Sequence, residues 1–389
     1  MGTAAGGSRV AGLRKARDIT QAALARRAGI SLSLLSKIET GDRTLTPGVA
    51  AAIARALRIS LRSLYGEAEI SQEQSVLLEG LRTAVRRYDI PDQTLMPEPA
   101  QLRAGVDQAI TLMERTDLAR LLRILPDLLT RTTTYAHAAA DPQRWALLAD
   151  TYWVTYWLAW QHRWMDLVGV APIRQAWAAA QYPSPLVTAL AAGSRAGALL
   201  HCGDCDGGLA VIDRAIAAAE TALTRPERAF TTGILHLRGM TLAGRLGDRS
   251  EAQRHIGAAW TVAEEFPHDR RAHAMLFGPA QTAAHVLTAE GDLGRPRGVI
   301  RIAEQLLGKN TTGLAANQTS FCHINTARAH LDLGDRDSAQ ASLVQAWGIA
   351  PQRAKIEPTG REVLRVLISL HRRSNPQLVQ LAKYAGLTL

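Results

Sequence analysis

The 389-residue sequence predicts an all-α chain: a small head of short helices, then a long solenoid of helical hairpins. Three observations predict it. Thr20–Arg43, TQAALARRAGISLSLLSKIETGDR, reads as a helix, a glycine turn and a second short helix. A Gly-Asp pair recurs every 43 or 44 residues in the second half of the chain. No stretch from Ala100 onward alternates apolar and polar residues as a half-buried strand does.

In the head, Met1–Ser8 is glycine-rich, and residues 1–9 are expected to be a disordered arm. Val10–Arg17 forms a first helix. Thr20 caps a second, Gln21–Ala28, and Gly29 lets the chain leave it at positive φ. Ser31 caps a third, Leu32–Glu39, which Gly41 stops. Thr46 and Pro47 open a fourth helix through Leu57, and Ser60 caps a short fifth ending near Tyr65. Val10, Leu13, Leu24, Leu35, Ile38, Ile53, Leu57, Leu61 and Leu64 make its core. On the third helix Leu35 and Ile38 share one side. Ser33, Ser36 and Lys37 take the opposite side with Leu32 at its edge, a face that fits the DNA major groove: hydroxyls and an ammonium for base edges or phosphates, and an apolar tip for a thymine methyl.

The segments LRKARDITQAALARRAGISLSLLSKIETG and TPGVAAAIARALRISLRSLYG, within Val10–Tyr65, resemble the phage-repressor (Xre/Cro) helix-turn-helix domain. The resemblance covers about one seventh of the chain. It implies five helices with Leu32–Glu39 as the recognition helix, Gln21 touching phosphate, and Arg14 and Glu39 as a structural ion pair. Leu32 departs from the Gln or Arg common there, so no base preference carries over. The candidate DNA-binding set is Gln21, Ser31, Leu32, Ser33, Ser36, Lys37 and Arg43.

Charge agrees with that reading. Of a net +10, residues 1–66 hold eleven Lys and Arg against three acids, so nearly all the excess lies on the head. Binding to phosphates by counterion release requires such placement.

The head is expected to span 10–66. Residues 67–98 read as one further helix, Glu67–Arg87, serving as a spacer or dimerisation helix, and a linker carrying Pro91, Pro97 and Pro99. Residues 99–389 read as the repeat array. The pairs are Gly203-Asp204, Gly247-Asp248, Gly291-Asp292 and Gly334-Asp335. Five residues after each glycine stand Gly208, Ala252, Pro296 and Ala339. Ile212, Ile256, Ile300 and Leu343 follow at nine, and Ala215, Ala259, Ala303 and Ala346 at twelve. Glycine ends one helix, aspartate starts the next, and the small residues let the two approach. The offsets, with Pro351 closing the last copy, resemble the tetratricopeptide (TPR) motif with lengthened helices. The fold class is therefore a five-helix phage-repressor-like head followed by a TPR-like α-solenoid, as in actinobacterial Xre–TPR regulators and, more distantly, pheromone-peptide receptors.

Other classes lack signatures. No apolar run reaches membrane-spanning length and no secretory leader opens the chain, so a cytoplasmic protein without membrane contact is expected. Three cysteines are too few for a disulfide framework. Cys202 and Cys205 form a CxxC with no second ligand pair nearby, so no metal is expected. No phosphate loop, HExxH, GxSxG or dinucleotide fingerprint occurs; neither enzyme chemistry nor a cofactor is expected.

Two features offer an effector site. Counting back from the repeat glycines places Thr241, Gln281, His285 and Arg328 on the inner wall of the array, where a small molecule or peptide would bind. Trp153, Trp157, Trp160 and Trp164 form a stripe on one aromatic-rich helix, with Tyr152 and Tyr156 on its flank. The candidate effector set is thus Tyr152, Tyr156, Trp157, Trp160, Thr241, Gln281, His285 and Arg328; for the aromatics the competing reading is solenoid core or a dimer interface. The expectation is a DNA-binding transcription regulator, homodimeric on an inverted-repeat operator in double-stranded DNA and responsive to an effector. The alternative is a scaffold whose array grips a partner protein while DNA binding localises it.

Overall fold

The computed structural model describes residues 6–59, 64, 72–92, 98–181, 184–225, 227–308, 313–370 and 375–387. It is an all-α protein with a helix-turn-helix head and a TPR-like solenoid. The head comprises α1 (Gly6–Lys15), α2 (Gln21–Ala28), α3 (Leu32–Thr40) and α4 (Pro47–Leu57). Helix α1 begins inside the expected arm, one turn before Val10: that residue is fully buried, and the turn ahead of it extends the same helix. Side-chain caps set the other starts. The hydroxyls of Thr20, Ser31 and Thr46 accept the N–H groups of Ala23, Leu34 and Val49. Gly29 and Gly41, at φ 66° and 87°, close α2 and α3. Val10, Leu24, Leu35, Ile38, Ile53, Leu57 and Leu64 are buried as expected, joined by Leu45. Leu13 is half-buried. The expected fifth helix lies, except for Leu64, outside the described residues, as do Met1–Ala5.

Helix α5 (Gln72–Arg86) is the first helix of the array and no free spacer. It packs against α7 (Leu118–His137) and α9 (Met165–Gln181) through buried Leu78, Leu81, Ala84 and Val85. Arg82 Nε donates to Asp166 Oδ2 at 2.7 Å. The proline-rich segment therefore connects two array helices and does not separate domains; its residues 93–97 lie outside the described ones. Pro99 opens α6 (Pro99–Arg115). Hairpins follow as α6 with α7, α8 (Pro142–His162) with α9, and α10 (Pro185–Cys202) with α11 (Cys205–Ala222). Then come α12 (Glu227–Leu246) with α13 (Arg249–Ala263), α14 (Pro279–Asp292) with α15 (Pro296–Leu307), and α16 (Ala316–Asp332) with α17 (Arg336–Ile349). Helices α18 (Pro351–Ile356), α19 (Pro358–Leu370) and α20 (Pro376–Tyr384) cap the end.

Three of the four repeat turns take the expected form. Gly203, Gly247 and Gly334 have φ of 83°, 77° and 86°. Asp204, Asp248 and Asp335 cap the next helix through the N–H three residues on. Gly208 sits where α11 meets α12: a Cβ there would lie 2.6 Å from Leu242 Cδ2. The third copy departs. Gly291 and Asp292 end α14, and the turn falls at Gly294, φ 72°. A slip of three residues is nearly one helical turn, so α15 still buries one face, through Val299, Ile302, Ala303 and Leu306, while Ile300 moves to its flank.

A short hairpin, β1 (Arg270–Ala272) with β2 (Met275–Phe277), interrupts the array between α13 and α14. Sequence reading expected no strand. Each is three residues, too short for alternation to register. The hairpin reaches across the inner space: Trp153 Nε1 donates to the Ala274 carbonyl at 3.1 Å, and His273 Nδ1 lies 3.2 Å from Asp150 Oδ2. The solenoid also curls back on itself. Helix α16 packs on α6, and Gln352 Oε1 accepts the Ala119 N–H across 233 residues of sequence. The six first helices of the hairpins thus enclose a central space.

Candidate nucleic-acid interface and central cavity

On α3, Ser31, Leu32, Ser33 and Lys37 are exposed and Ser36 is half-buried, while Leu35 and Ile38 hold the opposite side in the core. Leu32 is 49 % exposed, so its apolar tip stands free on this face. Arg14 and Glu39 form a bidentate pair behind the face, Nε to Oε1 at 2.7 Å and Nη2 to Oε2 at 2.8 Å. Burial pushes the Glu39 carboxyl up, but hydrogen bonds from Arg14 and Gln21 hold it below its ordinary value.

Two residues of the candidate DNA set are engaged elsewhere. Gln21 donates from Nε2 to Glu39 Oε2 at 2.8 Å and is half-buried, so it braces the ion pair. Arg43 turns away from α3 towards the array, where Nη1 meets Asp332 Oδ1 at 2.9 Å. The resemblance implied a phosphate contact for Gln21, and Arg43 was placed in the set beside the recognition helix; what a long polar side chain reaches depends on which carboxylate the fold brings alongside.

The head rests on the array through α4 and α12. Gly48 lets α4 come close: a Cβ there would lie 3.2 Å from the Asp292 carbonyl oxygen. Beneath it runs an alternating line of charge. Arg245 Nε meets Asp292 Oδ2 at 2.5 Å. Arg328 Nη1 lies 3.8 Å from Asp292 Oδ1, both side chains essentially without solvent contact. Arg328 also acts on Asp332, whose carboxyl burial pushes up and the charges of Arg328 and Arg43 pull down. So a line of ions leads from Arg245, on the cavity wall, to Arg43, in the loop after the recognition helix.

The cavity has a volume of about 280 Å³. Its walls come from α6, α8, α10, α12, α14, α16, the β-hairpin and the start of the terminal cap, with Pro47 of α4 added from the head. Six of the eight candidate effector residues line it: Tyr156, Trp157, Trp160, Thr241, Gln281 and His285. Two do not. Tyr152 is fully buried in the core of α7–α9, with its hydroxyl pushed above its ordinary pKa by burial. Arg328 sits towards the C-terminal end of α16, where the helix meets the head; the cavity takes Asn317, Gln318 and Phe321 from its N-terminal end instead. The aromatic stripe divides the same way: Trp153, Trp157 and Trp160 line the cavity, and Trp164 is core.

Sequence reading missed His201, Arg238, Arg245 and Arg353, all on the cavity wall. A signal existed for three. His201 and Arg245 precede their repeat glycines by two residues and Arg238 by nine, which share a helical face with the positions six and ten back. His201 stacks on Trp160 with centroids 3.5 Å apart, and Arg163 lies over the same indole at 4.6 Å. Burial, then the charges of Arg238, Arg163 and Arg245, hold His201 well below the usual imidazole value. Burial and Arg238 likewise lower His285 to about 4, against a backbone hydrogen bond that raises it. Both rings are therefore neutral at neutral pH. Cys205 is buried and Cys202 exposed, and burial raises both thiols. No helix among the described residues is long and apolar enough to cross a membrane.

Residues 11–64 match the family described as Helix-turn-helix (HTH_3). The head is thus a helix-turn-helix domain of the Xre-like kind. No curated protein matches the chain. Among solved structures, PlcR of Bacillus thuringiensis in complex with the peptide PapR7 and DNA aligns over 95% of this chain and 99% of its own, at 12% identity and TM-score 0.34. ComR from Streptococcus suis aligns over 96% of each chain, at 14% identity and TM-score 0.26. Likenesses at these scores carry no inference about this chain.

Proposed function

We propose that this chain is a cytoplasmic transcription regulator of the Xre–TPR type, without enzymatic activity. It binds an inverted-repeat operator as a homodimer, because one short recognition helix covers only a few base pairs. Leu32, Ser33, Ser36 and Lys37 read or grip the groove, and the basic surface of the head supplies phosphate contacts. The central cavity of the array binds a small molecule or peptide effector.

The observation that carries the reading is the shared wall: α12 lines the cavity with Arg238, Thr241 and Arg245 and also bears α4 of the head. An effector that shifts Arg245 disturbs Asp292 and, through Arg328 and Asp332, the anchor on Arg43. Freeing that anchor changes how the two heads of a dimer stand, and half-sites about 34 Å apart tolerate little change.

The test is selection of bound fragments from source DNA by the purified protein, with and without a metabolite extract. A discrete palindromic site whose affinity changes with extract supports the reading. Salt-sensitive, sequence-blind binding refutes the specific regulator, and a discrete site indifferent to any extract refutes the sensor. Arg43→Ala should reduce or abolish the response to extract while a site is still bound.

A further inference from the structure

Four arginines face the central cavity, and they are unequally matched. Arg245 is paired with Asp292. Of the two glutamates on the wall, Glu114 pairs with Arg271 of the hairpin, and Glu357 accepts the Gly360 N–H. Arg238 and Arg353 have no carboxylate within ion-pair distance among the described residues. Arg353 is 7 % exposed and its Nε has no hydrogen-bond partner; it lies over the Phe321 ring at 4.7 Å. His201, 4 % exposed, also leaves Nδ1 without a partner. Arg353 is buried and Arg238 half-buried, and a cation drawn out of water without a counter-charge is costly, so this wall favours an anion.

The rest of the wall is aromatic. Trp153 is fixed by its hydrogen bond to Ala274, and Trp160 is covered by His201 and Arg163. Trp157, half-buried, has no ring partner among the described residues, so its face is open to a ligand. Gly197 seats the Arg238 head group against the Tyr156 hydroxyl: a Cβ there would lie 2.3 Å from that oxygen and 3.2 Å from the Arg238 guanidinium carbon. The volume, about 280 Å³, is roughly twice the ~150 Å³ apolar cavity that takes up benzene, so it suits a body of one or two rings.

We propose that the cavity binds a compact aromatic carboxylate, its carboxylate on Arg238 and its ring against Trp157. This rests on the sensor reading above and names the ligand's chemistry. Arg353, across the cavity, adds a second cation to the field. A guanidinium offers two parallel N–H groups to a carboxylate, and a neutral amide of the same shape gains much less. The same carboxylate is available from a free aryl acid or from the C-terminus of a short aromatic peptide.

The test is calorimetric titration of the full-length protein with 2-naphthoate, 2-naphthamide, N-acetyl-Leu-Phe free acid and its C-terminal amide. The expected result is at least tenfold tighter binding of 2-naphthoate than of 2-naphthamide, with the ratio falling towards one in Arg238→Gln. The acid–amide comparison in the unaltered protein stands even if the variant fails to fold. Binding of the peptide acid but not of naphthoate overturns the compact ligand. Equal affinity for acid and amide, or no binding of either acid at millimolar concentration, overturns carboxylate recognition. If an amide binds as well as its acid and shifts operator affinity, the sensor reading survives while this proposal falls. If naphthoate binds through Arg238 and operator affinity does not move, the proposal stands and the sensor reading falls.

Discussion

Asp292→Asn isolates the charge at the centre of the head–array contact. The substitution preserves shape and volume, so it opens no cavity. It removes the negative charge that faces Arg245 and Arg328, on a side chain with no solvent exposure. Stripping one partner from a buried ion pair costs about 3–5 kcal/mol, because the cation left behind is desolvated without compensation. At about 2.1 cal/mol/K of unfolding entropy per residue, an array of about 300 residues shifts its melting temperature by about 1.6 °C per kcal/mol, so a drop of about 5–8 °C is expected in scanning calorimetry. The second variant decides the mechanism. Asp292→Asn with Arg328→Met removes one stranded guanidinium and should recover part of the loss. A single-variant shift under about 1 °C, or a double variant no more stable than the single, refutes the buried-ion account.

Three further outcomes follow from the geometry. Lys37→Ala, on the exposed face of α3, should weaken DNA binding and, if the ammonium meets phosphate, reduce the slope of log K against log salt by about one; unchanged affinity and slope would remove Lys37 from the interface. Arg14→Ala strands Glu39 with only the Gln21 hydrogen bond, so amide exchange in α1–α3 should speed up by about two orders of magnitude, equivalent to about 3 kcal/mol; exchange at the native rate would mean the pair is idle. Stability should fall as pH drops from about 6.5 towards 4. Burial holds His162, His236 and His285 at about 4 in the folded chain, so across that window the unfolded chain binds more protons, at about 1.4 kcal/mol per pH unit for each. His273, raised by its hydrogen bond to Asp150, takes its proton above this window and leaves the slope within it unchanged, while the carboxyls of Asp269 and Asp332, pushed up by burial, oppose the loss towards its acid end. Urea midpoints at pH 7 and 5 measure the difference, and His285→Gln should lessen it; a midpoint indifferent to pH refutes the burial argument.

What was legible in the sequence was what local chemistry dictates. Thr20, Gly29, Ser31 and Gly41 mark helix ends because a cap or a left-handed residue acts within four positions of itself. The repeat was legible for the same reason at Gly203, Gly247 and Gly334. It failed at Gly291, where the residue that matches by count is not the one that turns. The structure gives Gly291 another duty: a Cβ there would lie 1.9 Å from Arg328 Nη2, so glycine makes room for the buried guanidinium. A glycine kept for packing and a glycine kept for a turn look alike in a sequence; only the neighbour on α16, thirty-seven positions later, distinguishes them.

The cavity was half legible for a related reason. Periodicity told which helical face looks inward, and that placed Thr241, Gln281 and His285. It says nothing of height along the helix, and height decides whether an inward arginine meets a ligand or the head. Arg238 lies midway along α12 and faces the cavity, whereas Arg328, four residues from the end of α16, faces Asp292. The ends of α12, α14 and α16 that carry Arg245, Asp292 and Asp332 are the surface on which α4 and Arg43 settle. The inner helices therefore carry two chemistries in series. Their middles offer unmatched cations and indole faces, and their C-terminal ends spend their charges on one another and on the head. A ligand acting on the first zone can be felt in the second by drawing Arg245 away from Asp292, or directly through Pro47 of α4, and Asp292→Asn cuts the first of these routes. If the variant still binds 2-naphthoate but its DNA affinity no longer responds, the two zones are joined there; a full response in the variant means that the signal travels elsewhere.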